Sequence, residues 1–276
     1  MLTWVDGELL DEADAKVSAF DHGLTVGDGV FETVKVVGGV PFALGRHLAR
    51  LGRSAAGLGL PAPDESTVTK ACAAVAAQAG QGMYRLRITY TGGFGPLGSQ
   101  RGDAGPTLVV AMAAAAPMPP VTTVAVVPWP RNERGALAGL KTTSYAENVV
   151  ALARAAQVGA TEAICADTRG RLCEGTGSNV FVVVDGQVLT PPTSTGCLAG
   201  VTRDLVLEWT DAEEAELDLE VLDRAEEIFL TSTTRDVQAV SAVDWGSRRR
   251  ELAAPGPVTA RLATVFAERS AADPEP

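Results

Sequence analysis

The chain has 276 residues, enough for two modest domains, and 46% of them are hydrophobic, so a real core can form and wholesale disorder is excluded. Its formal net charge is −11, the wrong sign for a generic binder of nucleic acid or of an anionic membrane. Four cysteines without a Cys-x-x-Cys and only two histidines, His22 and His47, offer no framework for a metal site.

The first 16 residues, MLTWVDGELLDEADAK, are acidic and carry no apolar signal segment, and no run of 18 apolar residues follows. The expectation is a cytoplasmic protein with reduced thiols. Leu2–Val5, a turn at Asp6-Gly7 and residues 8–10 read as a hairpin. Gly29–Val37 alternates and is followed by Gly38-Gly39 and residues 40–44, a second hairpin. Leu48, Leu51, Ala55 and Leu58 recur at helical spacing and predict a helix over 46–57, stopped by Pro61 and Pro63. A second helix is predicted over 64–78, with Asp64 or Ser66 as its cap. Met83–Thr91 and residues 107–113 read as strands. The uncharged, Pro-rich run AAAAPMPP over 113–120 reads as a linker, which sets a small domain at 1–113, a linker at 114–120 and a larger domain at 121–276.

In the second half, 121–127 reads as a strand, 129–139 as a polar loop, and a helix opens at Thr143 or Ser144 and runs to about 158. A meander follows over 161–166, 172–174, Asn179–Val184 and Gln187–Thr190. Val201–Trp209 reads as a helix, 227–231 as a strand and 258–269 as a last helix, with a frayed tail, AADPEP. Mixed elements without regular βαβ alternation predict an α+β fold with mainly antiparallel sheets. Gly93-Phe-Gly-Pro-Leu-Gly98 spells the dinucleotide-binding pattern, but Pro96 lies inside it and no helix follows to aim at a pyrophosphate, so it reads as a mobile glycine loop.

Five pieces carry possible chemistry. Only four lysines occur; Lys16 lies in a charged segment, Lys70 on a polar helix face and Lys35 on an alternating strand, whereas Lys141 follows an uncharged run and precedes a helix, where a partly desolvated amine becomes nucleophilic. Position alone weighs this equally with a surface lysine. Glu174 leaves a strand into Gly-Thr-Gly-Ser-Asn179 and could be a fixed anion beside a protonated heterocycle, or a solvated turn. Gly200-Val201-Thr202 opens a helix whose amides suit an anion, and Thr231-Ser232-Thr233-Thr234 ends a strand in four hydroxyls; both also fit ordinary capping. Arg50 follows His47 near a helix start. Together these are the needs of pyridoxal 5'-phosphate (PLP): a Schiff-base lysine, an acid for the ring nitrogen, and a phosphate cup.

At Asp21-His-Gly-Leu-Thr-Val-Gly-Asp-Gly-Val-Phe-Glu-Thr33, Arg46-His-Leu-Ala-Arg-Leu51, Leu140-Lys-Thr-Thr, Glu174-Gly-Thr-Gly-Ser-Asn-Val-Phe181, Ala199-Gly-Val-Thr-Arg203 and Phe229-Leu-Thr-Ser-Thr-Thr234, the chain resembles the class IV aminotransferases, the fold-type IV PLP enzymes. The resemblance implies a small N-terminal sandwich-like α/β domain, a larger pseudo-barrel C-terminal domain, a cofactor in the cleft between them, and a homodimer. It implies that Lys141 holds PLP and shuttles the proton, that Glu174 pairs with the ring nitrogen, and that Arg50, Val201, Thr202, Ser232 and Thr233 hold the phosphate. Thr234 is then placed at the substrate.

The implied reaction moves an amino group between an amino acid, D-amino acids favoured by Gly27–Lys35, and a 2-oxo acid through pyridoxamine phosphate. The alternative is 4-amino-4-deoxychorismate lyase, which the Arg131-Asn132 to Lys141 stretch resembles. A branched-chain L-amino acid enzyme and a non-catalytic homologue rank below both. The Arg-x-His pair that D-amino acid members use for the substrate carboxylate is absent, since no histidine follows His47. Arg85 and Arg87 lie two apart on one strand and so share a face. Arg87, with Arg85 as its alternative, is the candidate carboxylate partner, against a nearly equal reading as a surface pair. Phe31 is expected to line the substrate pocket, with Glu32 and Lys35 as further candidates.

Overall fold

Alternation is strongest in the first 117 residues, and there it builds one antiparallel sheet. The computed structural model describes all 276 residues and is α+β. It divides into two compact units: Met1–Pro117 with Leu140–Tyr145 and Asp273–Pro276, and Met118–Gly139 with Ala146–Ala272. The break after Pro117 lies inside the 114–120 segment, but Lys141 and the tail belong to the first unit rather than to a continuous 121–276 block.

The first unit contains β1 (Leu2–Val5), β2 (Glu8–Asp11), α1 (His22–Thr25), β3 (Gly29–Val37), β4 (Val40–Pro41), α2 (Leu44–Leu58), α3 (Glu65–Ala76), β5 (Met83–Thr91) and β6 (Thr107–Ala114). The sheet order is β2-β1-β6-β5-β3-β4. Leu48, Leu51 and Ala55 of α2 and Val68, Ala71 and Val75 of α3 cluster with Val30, Val34, Val36, Leu86 and Ile88 in its core. Period-two alternation then puts Phe31, Thr33 and Lys35 on the opposite face, paired with Thr89, Arg87 and Arg85.

Several local expectations are corrected here. α2 starts two residues before 46 and ends at Gly59, whose left-handed φ of 71° terminates it before either proline is reached. Its N-cap, Ala43, has no side-chain acceptor. The carboxylate of Glu275 accepts from Leu44 N (2.9 Å) and Gly45 N (2.5 Å) instead, and Pro274 O and Pro276 O accept from Ala43 N and Arg46 Nε, both at 2.7 Å. The tail is therefore docked, not frayed. The loop after Gly93 has no helix, as expected, but it is anchored. Arg101 donates from Nε and Nη2 to Asp28 at 2.7 and 2.6 Å, and to the carbonyls of Leu58 and Gly59 at 2.8 and 2.6 Å.

The second unit contains β7 (Val121–Val126), α4 (Ala146–Gln157), β8 (Glu162–Ala166), β9 (Leu172–Gly175), β10 (Asn179–Val184), β11 (Gln187–Thr190), α5 (Val201–Trp209), β12 (Glu213–Glu214), α6 (Val221–Arg224), β13 (Glu227–Ser232), β14 (Asp236–Asp244), β15 (Arg249–Glu251) and α7 (Pro257–Ala272). Its nine-stranded sheet runs β12-β11-β10-β13-β14-β7-β8-β9, with β15 beside β14. The β14–β7, β7–β8 and β11–β12 pairs are parallel, so the mainly antiparallel expectation describes the first unit better than the second. β14 escapes the sequence reading because it is buried along most of its length, which removes the alternation that marks a half-exposed strand. α4 begins at Ala146, later than predicted. Thr143 and Ser144 do not cap it; their hydroxyls donate to Gly27 O at 2.9 and 3.0 Å. No helix is long and apolar enough to cross a membrane.

Candidate active site

In the first unit the site is built on β3. Phe31 N donates to Lys141 O (3.0 Å) and Thr143 N to Gly29 O (2.8 Å), stitching the 140–145 segment alongside the strand. Lys141 N donates to Ser54 Oγ on α2 at 3.2 Å. The Lys141 amine thereby comes to 4.4 Å from the centroid of the Phe31 ring, and the Arg87 guanidinium carbon lies 3.3 Å from the same centroid. Tyr145 packs edge-on to Phe31, with ring centroids 5.1 Å apart. Arg87 has no carboxylate partner; its contact besides the ring is Thr89 Oγ1 at 3.4 Å, and burial lowers its guanidinium to about 10. A desolvated guanidinium on an aromatic face is ready to take an anion. Arg85 is exposed, and Lys35 is buried with its amine 5.3 Å from the Phe42 ring. Of the two arginines, Arg87 is the one that shares the Phe31 ring with Lys141.

Beneath β3, Glu32 is fully buried. Arg50 donates Nε to Oε1 at 2.8 Å and Nη2 to Oε2 at 2.7 Å, and His47 Nδ1 lies 2.7 Å from Oε2. Burial opposes the Glu32 charge, but the Arg50 guanidinium and the His47 ring outweigh it and hold the carboxyl at about 2. Burial pushes the imidazole below its ordinary value, so His47 is neutral at pH 7 and donates its Nδ1–H to the carboxylate. Arg50 is thus oriented by a buried acid that was only a minor candidate from the sequence.

In the second unit, Glu174 is buried on β9. Its Oε2 accepts from Leu198 N at 2.9 Å, and Oε1 lies 3.2 Å from Arg131 Nε. Arg131 also donates to Asn148 Oδ1 at 2.9 Å, and Asn179 Nδ2 donates to Leu198 O at 2.8 Å. Both ends of the Leu198 peptide are therefore engaged just ahead of α5. The helix opens at Gly200 with no side chain capping it, and a Cβ on Gly200 would meet Asn179 Oδ1 at 2.0 Å, so only glycine fits there. Val201 and Thr202 form its first turn. Ser232 ends β13, and Thr233 and Thr234 sit in the following turn, where Arg235 N donates to Ser232 O at 3.2 Å. All four cysteines are free and buried.

Tyr145, Arg131, Asn148 and the Leu198 amide were not singled out from the sequence. Tyr145 carried a usable signal: it is the only tyrosine beyond residue 90 and lies four residues after Lys141. The others are joined to the site only through tertiary hydrogen bonds. Each unit holds donors of the kinds PLP needs: the first an amine against an aromatic ring, the second a carboxylate fixed by an amide and a guanidinium, a nine-residue helix opening on a bare glycine, and a run of hydroxyls.

The class IV amino-transferase family model matches residues 29–243. A Methanocaldococcus jannaschii protein, provisionally named a branched-chain-amino-acid aminotransferase, is 34% identical over 88% of each chain. The bifunctional aminodeoxychorismate lyase / D-amino acid transaminase of Mycobacterium tuberculosis is 29% identical over 97% of this chain and 96% of its own. The solved fold IV transaminase CpuTA1 from Curtobacterium pusillum superposes with a TM-score of 0.85 at 31% identity, covering 96% of this chain and 93% of that one. The chain belongs to the class IV aminotransferases.

Proposed function

We propose that this class IV aminotransferase moves an amino group from a D-amino acid to a 2-oxo acid, using PLP held by Lys141 and recognising the substrate carboxylate with Arg87. The observation that carries the reading is the shared Phe31 ring: an amine and a guanidinium without an acidic partner both lie against it. PLP, when bound, supplies an electron sink that makes the bond to the substrate's α-hydrogen breakable. The residues do the rest. Lys141 Nζ takes the α-proton and returns it. Glu174, held between Leu198 N–H and Arg131, would pair with the ring nitrogen. Arg50, the Val201 and Thr202 amides, Ser232 and Thr233 hold the phosphate, and Phe31 and Thr234 border the substrate. Arg87 holds the carboxylate, replacing the missing Arg-x-His pair.

Two further parts of the reading rest on exposure and on thiol state. Leu24, Phe94 and Leu97 are 66%, 55% and 69% exposed, an apolar surface suited to a second copy of the chain in a homodimer. The four unpaired thiols suit the reducing cytoplasm.

The test is a half-reaction. The enzyme with bound PLP is mixed separately with D-alanine, D-glutamate, L-leucine and L-glutamate, and its absorption band is followed. Loss of the band with the D-amino acids alone supports the reading. Loss with the L set moves the enzyme to branched-chain chemistry. A band unchanged by all four favours the lyase, an activity that the M. tuberculosis relative's name includes.

A further inference from the structure

Glu162 stands at the start of β8 and is 2% exposed. No motif marks it. One carboxylate oxygen accepts from Thr176 N and Ala163 N, both at 3.0 Å, and from the Thr176 hydroxyl. The other accepts from Ser178 Oγ at 2.9 Å and lies 3.5 Å from Arg235 Nη2. Apart from the adjacent Ala163 N, its partners come from two turns. Residues 175–178 join Glu174 to β10, and residues 233–235 follow β13.

Strand register puts these turns next to each other. Asn179, the first residue of β10, pairs with Thr231 of β13, so the turn entering one strand adjoins the turn leaving the other. The fit at Glu162 is close: a Cβ on Gly175 would meet Ser178 Oγ at 2.3 Å and the Glu162 carboxyl carbon at 3.1 Å. On the far side Arg235 is held by Thr161 O at 3.3 Å and by the Gln238 side chain, while its amide turns back onto Ser232. A buried carboxylate with this many donors is satisfied only when both turns are in place.

We infer that Glu162 is a positioning residue for the cofactor's phosphate: it ties the turn that follows Glu174 to the turn that carries Ser232 and Thr233, and so fixes the hydroxyls of the cup. This rests on the assignment of PLP to the site. Glu162 touches no reacting atom and acts through Thr176, Ser178 and Arg235. Glu162→Gln keeps an acceptor for the 175–178 turn and removes the charge that holds Arg235.

PLP and pyridoxal, which lacks the phosphate, are titrated into wild-type and E162Q enzyme stripped of cofactor, and the unfolding temperature of each stripped protein is recorded. The expected result is a Kd for PLP raised about tenfold, the loss of one charge-assisted contact, with pyridoxal affinity unchanged within about twofold and the unfolding temperature held. An unchanged PLP Kd, or equal losses for both ligands together with a lowered unfolding temperature, overturns the proposal. If E162Q fails to fold, Arg235→Gln carries the test with the same expectation, because it cuts the link to the second turn alone. A wild type that binds no PLP overturns the assignment of the cofactor itself, and this proposal with it.

Discussion

The two units treat charge in opposite ways. The first gathers cations: Lys141 and Arg87 against the Phe31 ring, Arg50 beneath the strand, with one buried acid, Glu32, to orient Arg50. The second gathers carboxylates: Glu174 and Glu162 are each buried and held by N–H and O–H donors from neighbouring turns. A protein with a net charge of −11 thus sets a few cations around Phe31 in one unit and buries fixed carboxylates in the other. Burial makes both arrangements strong and makes each intolerant of losing a partner. The difference teaches where a site is rigid for its own sake and where it is left wanting a ligand: Glu32 and Glu162 are satisfied within the protein, whereas Arg87 has no acidic partner.

The comparison can be broken at each of these groups. Lys141→Ala should reduce turnover by roughly a thousandfold or more, remove the cofactor band that borohydride bleaches, and leave the circular dichroism spectrum intact; retained activity would end the whole assignment. Glu32→Ala leaves the Arg50 guanidinium buried without its acid and should cost about 3–5 kcal/mol of stability, read by urea denaturation. The same pair sets a pH dependence. The Glu32 carboxyl sits at about 2 in the folded protein, below the ordinary carboxylate value, so its stabilisation is complete above the unfolded value of about 4.3 and is lost as pH falls toward 2. Acid titrations of wild type and Glu32→Gln should therefore converge at the acid end.

Glu174→Gln still offers an acceptor to Leu198 N–H but no charge, so the cofactor should stay bound while proton removal slows roughly a hundredfold; an unchanged rate would remove Glu174 from the chemistry. Arg87→Ala should raise KM for the amino acid about tenfold or more with a smaller change in kcat, the loss of one charge-assisted contact. An unchanged KM would return Arg87 to the surface-pair reading. The smallest effect belongs to Glu275→Ala, which removes the cap of α2 and should cost about 1 kcal/mol, or roughly 2–4 °C in Tm.

What the sequence disclosed follows the same division. In the second unit the Glu174–Phe181, Gly200–Arg203 and Phe229–Thr234 blocks are contiguous, each a strand or helix end with its own turn, so local chemistry made them visible. In the first, β3 and β5 were read to the residue because both alternate. Which of Arg85 and Arg87 packs on Phe31 was not legible, since alternation assigns them one face and only the folded sheet sets Arg87 on the ring and leaves Arg85 exposed. Glu162, Arg131 and the Leu198 amide were invisible for a related reason: Glu162 meets Thr176 and Arg235 14 and 73 positions away, and Glu174 meets Arg131 and the Leu198 amide 43 and 24 positions away, and no period or spacing encodes such meetings.

The path of the chain has a consequence for biosynthesis. The first unit is not finished when residue 117 has been made: it needs the Lys141 segment, which arrives after part of the second unit, and the Glu275 cap of α2, which arrives after all of it. During translation the sheet that carries Phe31 and Arg87 can form early, but its lysine and its helix cap cannot yet be present. A half-made chain therefore holds Phe31 and Arg87 without the Lys141 amine, and the chain cannot be cut into two separately expressed halves without taking Lys141 away from the ring it rests on.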